Sequence, residues 1–400
     1  MASPTTAFQS TSRLALFQTA AYYAGFIALG LCGAQLGPSL SALAAHTGST
    51  LGAISIVFVA SAFGRLLGSL SGGWLLDRVR GHPLMALGYL FVCVAMVLVP
   101  LAQSLPALIA VLLFYGVAVN WIDVGANTLI VRVHGEHVAP YMNGLHLTFG
   151  IGSSLAPLLV GRSFALTNDI QASYWLGAGL MLPMALWLAR LPSPAVRQAA
   201  ASDASSMVPP RLTVLLGLFF FCLVGVEIIG AQWTFNLALA LGMSRESGAP
   251  ILASTFWWMY SLGRLISIPL ALRVPPATYL MVDVTGGIIF ASVLLIALLF
   301  GGNTTLVWIG VIGLGLSIAS AFPSALSYVG SHMTITGKVT GGVFASANIS
   351  VMVAPWVIGQ FIETIGTVAI PLAALLLLLI AAAVFTSLTR ALAKQRLAPP

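Results

Sequence analysis

Charge is what this chain has least of. Of its 400 residues only 6% are charged, and only 9 of them are acidic. A soluble protein of this length cannot cover its surface with so few charges, since Lys, Glu, Arg and Asp are the residues that water-facing surfaces use most. Cysteine is also rare. Cys32, Cys93 and Cys222 all fall inside apolar runs, without metal-ligand spacing and without the layout of an extracellular disulfide framework, so they read as packing residues. A G-x-x-x-x-G-K-[ST] segment is missing, which removes the usual argument for ATP-driven pumping. Neither a nucleophile–base spacing nor a His/Cys/Asp/Glu cluster stands out, so an enzyme and a metal site are not expected. The formal charge of +7 is no sign of nucleic acid, because the distribution of its arginines accounts for it.

Apolar sequence is what the chain has most of. Hydrophobic residues make up 59% and mean hydropathy is +1.03. About twelve apolar runs recur, from 14–43 to 367–389, many near the ~20 residues that span a bilayer as a helix. Backbone in lipid must satisfy its own hydrogen bonds, so these runs are helices; the strands of a β-barrel would be shorter and would alternate in polarity. With both termini inside, twelve basic residues fall on the cytoplasmic side and only Arg162 and Arg245 on the other, as the positive-inside rule requires. Met1–Ser12 lacks a signal-peptide pattern, so the first helix is expected to serve as the insertion signal. An integral protein of the inner or plasma membrane follows, with a monomer expected.

Three fragments return at nearly one offset. Gly33-Ala34-Gln35 recurs as Gly230-Ala231-Gln232 after 197 residues, Gly64-Arg65-Leu66 as Gly263-Arg264-Leu265 after 199, and Ala156-Pro157 through Gly161 as Ala354-Pro355 through Gly359 after 198. Parallel repeats of this size in a membrane protein point to a transporter with its site between the halves. The expected organisation is a bundle over 1–190, a linker over 191–211 rich in Pro and Ser, and a second bundle over 212–400. Gln35 and Gln232 should then face one cavity from opposite halves, and Arg65 and Arg264 should lie at matching depth. The acids break the symmetry: Asp123 has Ala321 at the 198 offset.

Charges inside apolar runs are the functional candidates, because an ionisable group at that depth costs about 3 to over 10 kcal/mol unless paired or hydrated. Arg65, Asp123, Glu227 and Arg264 sit well inside their helices; Asp283 and Glu363 lie near helix ends and read as structural. Arg65 and Arg264 should neutralise the carboxylates, with Glu227 pairing with Arg264. Asp123 and Asn127 are four apart on one helix face, a carboxylate and an amide suited to a monovalent cation or a pair of sugar hydroxyls. Glu227, Gln232, Trp233 and Asn236 combine amides with a flat aromatic face, as a monosaccharide site needs. Gln35, Asn143 and His146 would supply hydroxyl partners from the first half, with Trp257 and Asn348 adding to the second. The Gly64, Gly68, Gly72 stripe should permit close helix approach.

Gly73-Trp74-Leu75-Leu76-Asp77-Arg78-Val79-Arg80-Gly81 lies between the second and third runs. It resembles the loop signature of the major facilitator superfamily, with the tail order altered. The resemblance implies a cytoplasmic gate in which Gly73, Asp77 and Arg78 take part. Further blocks are similar to the fucose:proton symporter family, and more so to its sodium-dependent glucose transporter-like branch: Gly30–Pro38, Asp123–Asn127, Leu145–Pro157, Val224–Trp233, Phe256–Pro269 and Thr336–Thr340. The acid that fucose symporters carry in the first helix is Ala34 here, so their two-carboxylate scheme does not transfer whole. The resemblance implies an all-α major facilitator fold, two pseudo-symmetric six-helix bundles, and alternating-access transport of a hexose-like sugar coupled to sodium or protons. Two other readings stay open: a proton-coupled exporter of amphipathic molecules, and a non-transporting substrate sensor.

Overall fold

The computed structural model describes residues 13–195, 210–271, 273–331 and 337–397. Positions 1–12 and most of the expected linker lie outside the described residues, as does the start of the Thr336–Thr340 block.

The elements, in order, are α1 (Arg13–Gly33), α2 (Leu36–Thr47), α3 (Leu51–Ile54), α4 (Ile56–Leu76), α5 (Gly81–Leu98), α6 (Leu105–His134), α7 (Val138–Thr167) and α8 (Gln171–Arg190) in the first half. The second half has α9 (Pro210–Ala240), α10 (Gly248–Ala271), α11 (Pro276–Leu299), α12 (Thr304–Ile318), α13 (Ala321–Gly330), α14 (Gly337–Ile365) and α15 (Ala369–Leu397). Ten stretches are long and apolar enough to cross a bilayer; one of them, Gly341–Arg390, holds both α14 and α15. With α10 the described residues make twelve passes, because three passes are each built from two helices: α1 with α2, α3 with α4, and α12 with α13.

Two of those breaks have a proline as their cause. Pro38 offers no N–H to the Ala34 carbonyl, and Pro323 offers none to that of Ala319, while each ring crowds the carbonyl four residues back. The helices stop at those points, between α1 and α2 and between α12 and α13. Pro157 and Pro355 sit inside α7 and α14, where the chain carries on as helix.

Within the first bundle α4 packs on α6, α1 on α7, and α5 on α6 and α8; within the second, α9 packs on α14 and α15, α11 on α12 and α15, and α10 on α12. The glycine stripe does what its spacing predicts. A Cβ on Gly64 would lie 2.1 Å from the Leu113 carbonyl oxygen, and one on Gly68 2.5 Å from that of Val117, so α4 and α6 meet backbone to backbone. Outward-facing leucines such as Leu70 and Leu166, each 67% exposed, form a surface suited to lipid. Cys32, Cys93 and Cys222 are unbridged thiols.

The bundles touch through α7 and α10, α2 and α9, and α14 against α3 and α4. The hydrogen bonds that cross between them, among the described residues, gather at the end opposite the termini. There Gln360 Nε2 donates to the Gly52 carbonyl and to Ser55 Oγ, Glu363 Oε1 accepts from the Gly52 N–H at 2.8 Å, and Asn236 Nδ2 donates to the Gly37 carbonyl at 2.9 Å. The bundles are thus fastened at that far end.

Candidate functional site

Four helices bring the buried charges to the middle of the fold. In the first bundle the close approach of α4 and α6 sets Arg65 in electrostatic reach of Asp123. Asn127, one turn on, donates its amide to the Asp123 carboxylate at 3.1 Å and to the Asp123 carbonyl at 2.9 Å. The Asn127 nitrogen is therefore engaged, and the amide oxygen is the atom it has left to offer. Both Asp123 and Arg65 are half-buried. A Cβ on Gly33 of α1 would lie 3.8 Å from a guanidinium nitrogen of Arg65 and 3.9 Å from both the Phe149 ring and the Tyr115 hydroxyl, so Arg65 reaches across to α1.

In the second bundle Arg264 stands over the ring of Tyr260 at 4.6 Å and donates to the Tyr260 hydroxyl. Its Nε donates to the Ala319 carbonyl at 3.3 Å, the one freed by Pro323. Glu227 acts electrostatically on both Tyr260 and Arg264. The expected Glu227–Arg264 salt bridge is corrected accordingly: no such ion pair forms within 4 Å among the described residues, where His46 with Asp169 is the pair found, and Tyr260 stands between the two charges. A guanidinium already stacked on a ring has little freedom to turn to a carboxylate on another helix.

His146 on α7 acts electrostatically on Arg264 across the α7–α10 contact, and its ring meets Phe26 edge-on at 6.4 Å. It is exposed, as is Asn143 one turn earlier. Trp257 packs against Tyr260 at 5.9 Å; its indole N–H is buried without a partner, a donor awaiting an acceptor. His146, Arg264, Glu227, Tyr260 and Trp257 thus form one polar group where the two bundles meet, while Asp123, Asn127 and Arg65 form a second group inside the first bundle.

Several expected site residues lie elsewhere. Trp233 is fully buried against Phe58, with its indole N–H donated to the Pro355 carbonyl at 3.1 Å; it packs α9 against the rest of the far end and offers no face to a sugar ring. Asn236 and Gln232 belong to the α2–α9 closure: a Cβ on Gly37 would lie 2.5 Å from the Gln232 carbonyl oxygen and 2.8 Å from its Oε1. Gln35 does not mirror Gln232. It is completely buried, and its Nε2 lies 3.2 Å from the Cβ position of Gly177 on α8, inside the first bundle. Asn348 is exposed and donates to the Phe344 carbonyl of its own helix. Asp283 is no interface residue: it is buried and accepts from Ser320 Oγ at 2.8 Å in the α12–α13 break. Arg78 donates to the Trp74 carbonyl and stacks on the Trp74 ring at 4.1 Å, while Gly73 has open space beside it. Among the described residues, Asp77 and Arg78 make no hydrogen bond or ion pair to the second bundle.

Sequence reading missed Tyr260, although it stands four residues before Arg264 on the same helix face. It also missed the buried hydroxyls of Ser39, Tyr89, Tyr115 and Tyr174, which together with both amide atoms of Gln35 complete no well-formed hydrogen bond in the first bundle.

Two helical bundles facing each other across a line of buried charges, with broken helices at that line, define a membrane transport protein of the alternating-access type. A family model described as Major Facilitator Superfamily matches residues 15–341, and the chain belongs to that family. It is 28% identical over 374 residues to sodium-dependent glucose transporter 1 of Homo sapiens, covering 84% of this chain and 72% of that one. With sodium-dependent glucose transporter 1A of Mus musculus it shares 29% over 378 residues, at 84% and 88% coverage, and with major facilitator superfamily domain-containing protein 4A of Homo sapiens 26% over 450, at 87% of each. Among solved structures it superposes on the nucleoside transporter NupG with a TM-score of 0.75 at 16% identity, covering 94% of this chain and 99% of that one. A partially occluded inward open form of the E. coli xylose transporter XylE gives 0.74 at 11%, with 93% and 98% covered.

Proposed function

We propose that this protein is a secondary active transporter of a hexose-like monosaccharide, coupled to sodium and working by alternating access. The observation that carries the reading is the group of His146, Arg264, Glu227, Tyr260 and Trp257 at the α7–α10 contact between the bundles, with the half-buried Asp123 and Arg65 inside the first bundle. Guanidinium, imidazole, carboxylate and indole N–H groups around aromatic faces are the partners that sugar hydroxyls and ring C–H faces need. The names of the relatives, sodium-dependent glucose transporters, favour glucose-like cargo and sodium over protons.

In this reading Asp123, steadied by Asn127 and countered by Arg65, is the coupling carboxylate. Glu227, His146, Asn143 and Trp257 hold the sugar, with Arg264 orienting Glu227 through Tyr260. Gln232, Asn236 and Trp233 act at the far-end closure, beyond the sugar. The basic bias of the loops puts the termini in the cytoplasm, in an inner or plasma membrane, so the fastened end is extracellular and the structure faces inward. Asp77 and Arg78, with Gly73 beside them, would latch the bundles only in the opposite state. The transporter works as a monomer, since each chain holds both halves of the site.

Counterflow of labelled hexoses into liposomes tests the proposal. Glucose-like sugars should exchange with wild type, and a sodium gradient should drive their accumulation. Asp123→Asn should exchange sugar yet fail to accumulate it. Undiminished sodium-driven accumulation by that variant would remove Asp123 from the coupling role, and efflux of amphipathic dyes without hexose exchange would favour an exporter.

A further inference from the structure

The break between α1 and α2 is a polar point inside an apolar bundle. Pro38 leaves the Ala34 carbonyl without its helical donor. The Gln35 N–H turns to the Cys32 carbonyl at 3.5 Å and so leaves the Leu31 carbonyl, its usual acceptor. These oxygens lie at the C-terminal end of α1, which carries the negative pole of the helix dipole. Beside the break, Gln35 is fully buried with its amide oxygen and nitrogen unpartnered, and it points toward α8. Ser39, one turn on, is fully buried and adjoins the hydroxyl of Tyr174 on α8. The Tyr115 hydroxyl of α6 interacts with the Arg65 guanidinium and with Tyr174. The hydroxyls of Ser39 and Tyr174 have each other as neighbours, and with that of Tyr115 they complete no well-formed hydrogen bond.

The chemistry of this group selects its occupant. Its ligating atoms are neutral oxygens facing a negative helix end, so an anion is disfavoured. A calcium-like ion takes carboxylates, and zinc takes thiolate or imidazole clusters, of which the described residues hold none. Asp123 is already countered by Arg65, which leaves a cation little to gain there. A small monovalent cation fits an all-oxygen cage at an unwound helix, as in other transporters with broken helices.

We propose that a sodium ion binds in the first bundle at the α1–α2 break, held by Gln35 Oε1, Ser39 Oγ and Tyr174 Oη with the carbonyls that Pro38 frees. This rests on the sodium-coupled reading, in which Asp123 is the coupling carboxylate without being a ligand of the ion. The site also explains how the ion acts at a distance. α2 carries Gly37, which closes on Gln232 and Asn236, so an ion that braces the break sets the position of the far-end closure.

The test is thermal unfolding of the purified full-length protein in detergent, titrated with sodium chloride against choline chloride at constant ionic strength, without sugar. Sodium should raise the midpoint saturably and choline should not. Ser39→Ala and Tyr174→Phe should each raise the sodium needed about tenfold, or roughly 1.4 kcal/mol, while Thr386→Ala, on the exposed face of α15, should keep the wild-type sodium dependence. If those variants fail to fold, Gln35→Glu decides: a carboxylate in the cage should lower the sodium needed by a similar factor. The site is overturned if sodium leaves the wild type unmoved, or if the cage variants respond as wild type. Hexose counterflow without sodium stabilisation sinks the cage alone; sodium stabilisation without hexose counterflow sinks the sugar reading alone.

Discussion

Arg264 donates its Nε to the Ala319 carbonyl at 3.3 Å, and that carbonyl is available because Pro323, four residues later, has no N–H to give it. At the corresponding place in the first bundle, Arg65 faces the Asp123 carboxylate. The duplicated arginines thus have different partners: Arg65 acts on a carboxylate without closing an ion pair among the described residues, whereas Arg264 donates to a broken helix. A carbonyl carries only a partial charge, so Arg264 keeps net positive charge toward Glu227 and the cavity, whereas Arg65 is neutralised close by.

Pro323→Ala should test that difference. Alanine restores an N–H at position 323, which can close the helix onto Ala319 and remove the acceptor of Arg264. The fold should be retained, because Ala is a good helix former. Hexose counterflow should fall, and the loss of one hydrogen bond to a charged group, about 1.5–3 kcal/mol, bounds the effect at roughly 10- to 150-fold. Unchanged counterflow would show that the break is not needed to place Arg264.

Arg264→Lys keeps the charge and removes the planar fork. Lysine cannot stack on Tyr260 and reach Ala319 together. We expect loss of sugar affinity with expression near wild type. Tyr260→Phe should give a smaller loss, because stacking remains and only the hydroxyl between Arg264 and Glu227 goes. The ratio of the two, read as apparent KM in counterflow, separates orientation from charge. Equal losses would contradict the bridging role of Tyr260.

The sequence carried the fold almost entirely, and the reasons are physical. Apolar runs of bilayer length admit only helices, and the repeat offset placed Arg65 against Arg264. Direction of side chains was harder. Gln35 and Gln232 are equivalent by sequence, yet one turns into its own bundle and the other to the opposite one, because Pro38 breaks the first helix beside Gln35 and no proline follows Gln232 at that spacing. Trp233 read as a sugar platform because an indole next to amides suits a sugar; the Pro355 carbonyl that takes its N–H lies 122 residues away, beyond any local pattern. The tyrosines of the first bundle gave no signal, since a single Tyr in an apolar helix looks like packing until its hydroxyl is found without a partner.

Arg65 and Asp123 should behave as a pair. Neutralising one leaves the other charged at depth, which is strongly destabilising, by about 3–5 kcal/mol for a buried pair and less here because both are half-buried. Arg65→Gln and Asp123→Asn should each lower the detergent unfolding midpoint, and the double variant should recover a good part of the loss while remaining uncoupled. A double variant as unstable as the sum of the two would show that they act independently.

The far-end fastening sets how readily the bundles part. Gln360 donates to the Gly52 carbonyl at 2.9 Å and to Ser55 Oγ at 3.0 Å, and both acceptors sit on the first turn of the second pass. Truncating Gln360 to Ala removes two hydrogen bonds of about 0.5–1.5 kcal/mol each, enough to move a two-state equilibrium roughly 5- to 150-fold. Glu363→Ala should act in the same direction and less strongly, because Glu363 is exposed and water competes for its bonds to the Gly52 N–H and the Thr50 hydroxyl. The readout is thiol labelling of a cysteine introduced at Phe58, in a background where the three native cysteines are replaced. Phe58 is buried against Trp233 of the other bundle, so a thiol there is shielded while the bundles are fastened and reachable once they part. Faster labelling in Gln360→Ala than in the parent, with the sugar slowing or speeding it according to the state it prefers, is the expected result. Equal labelling rates would mean that Gly37, Gln232 and Asn236 alone hold that end shut.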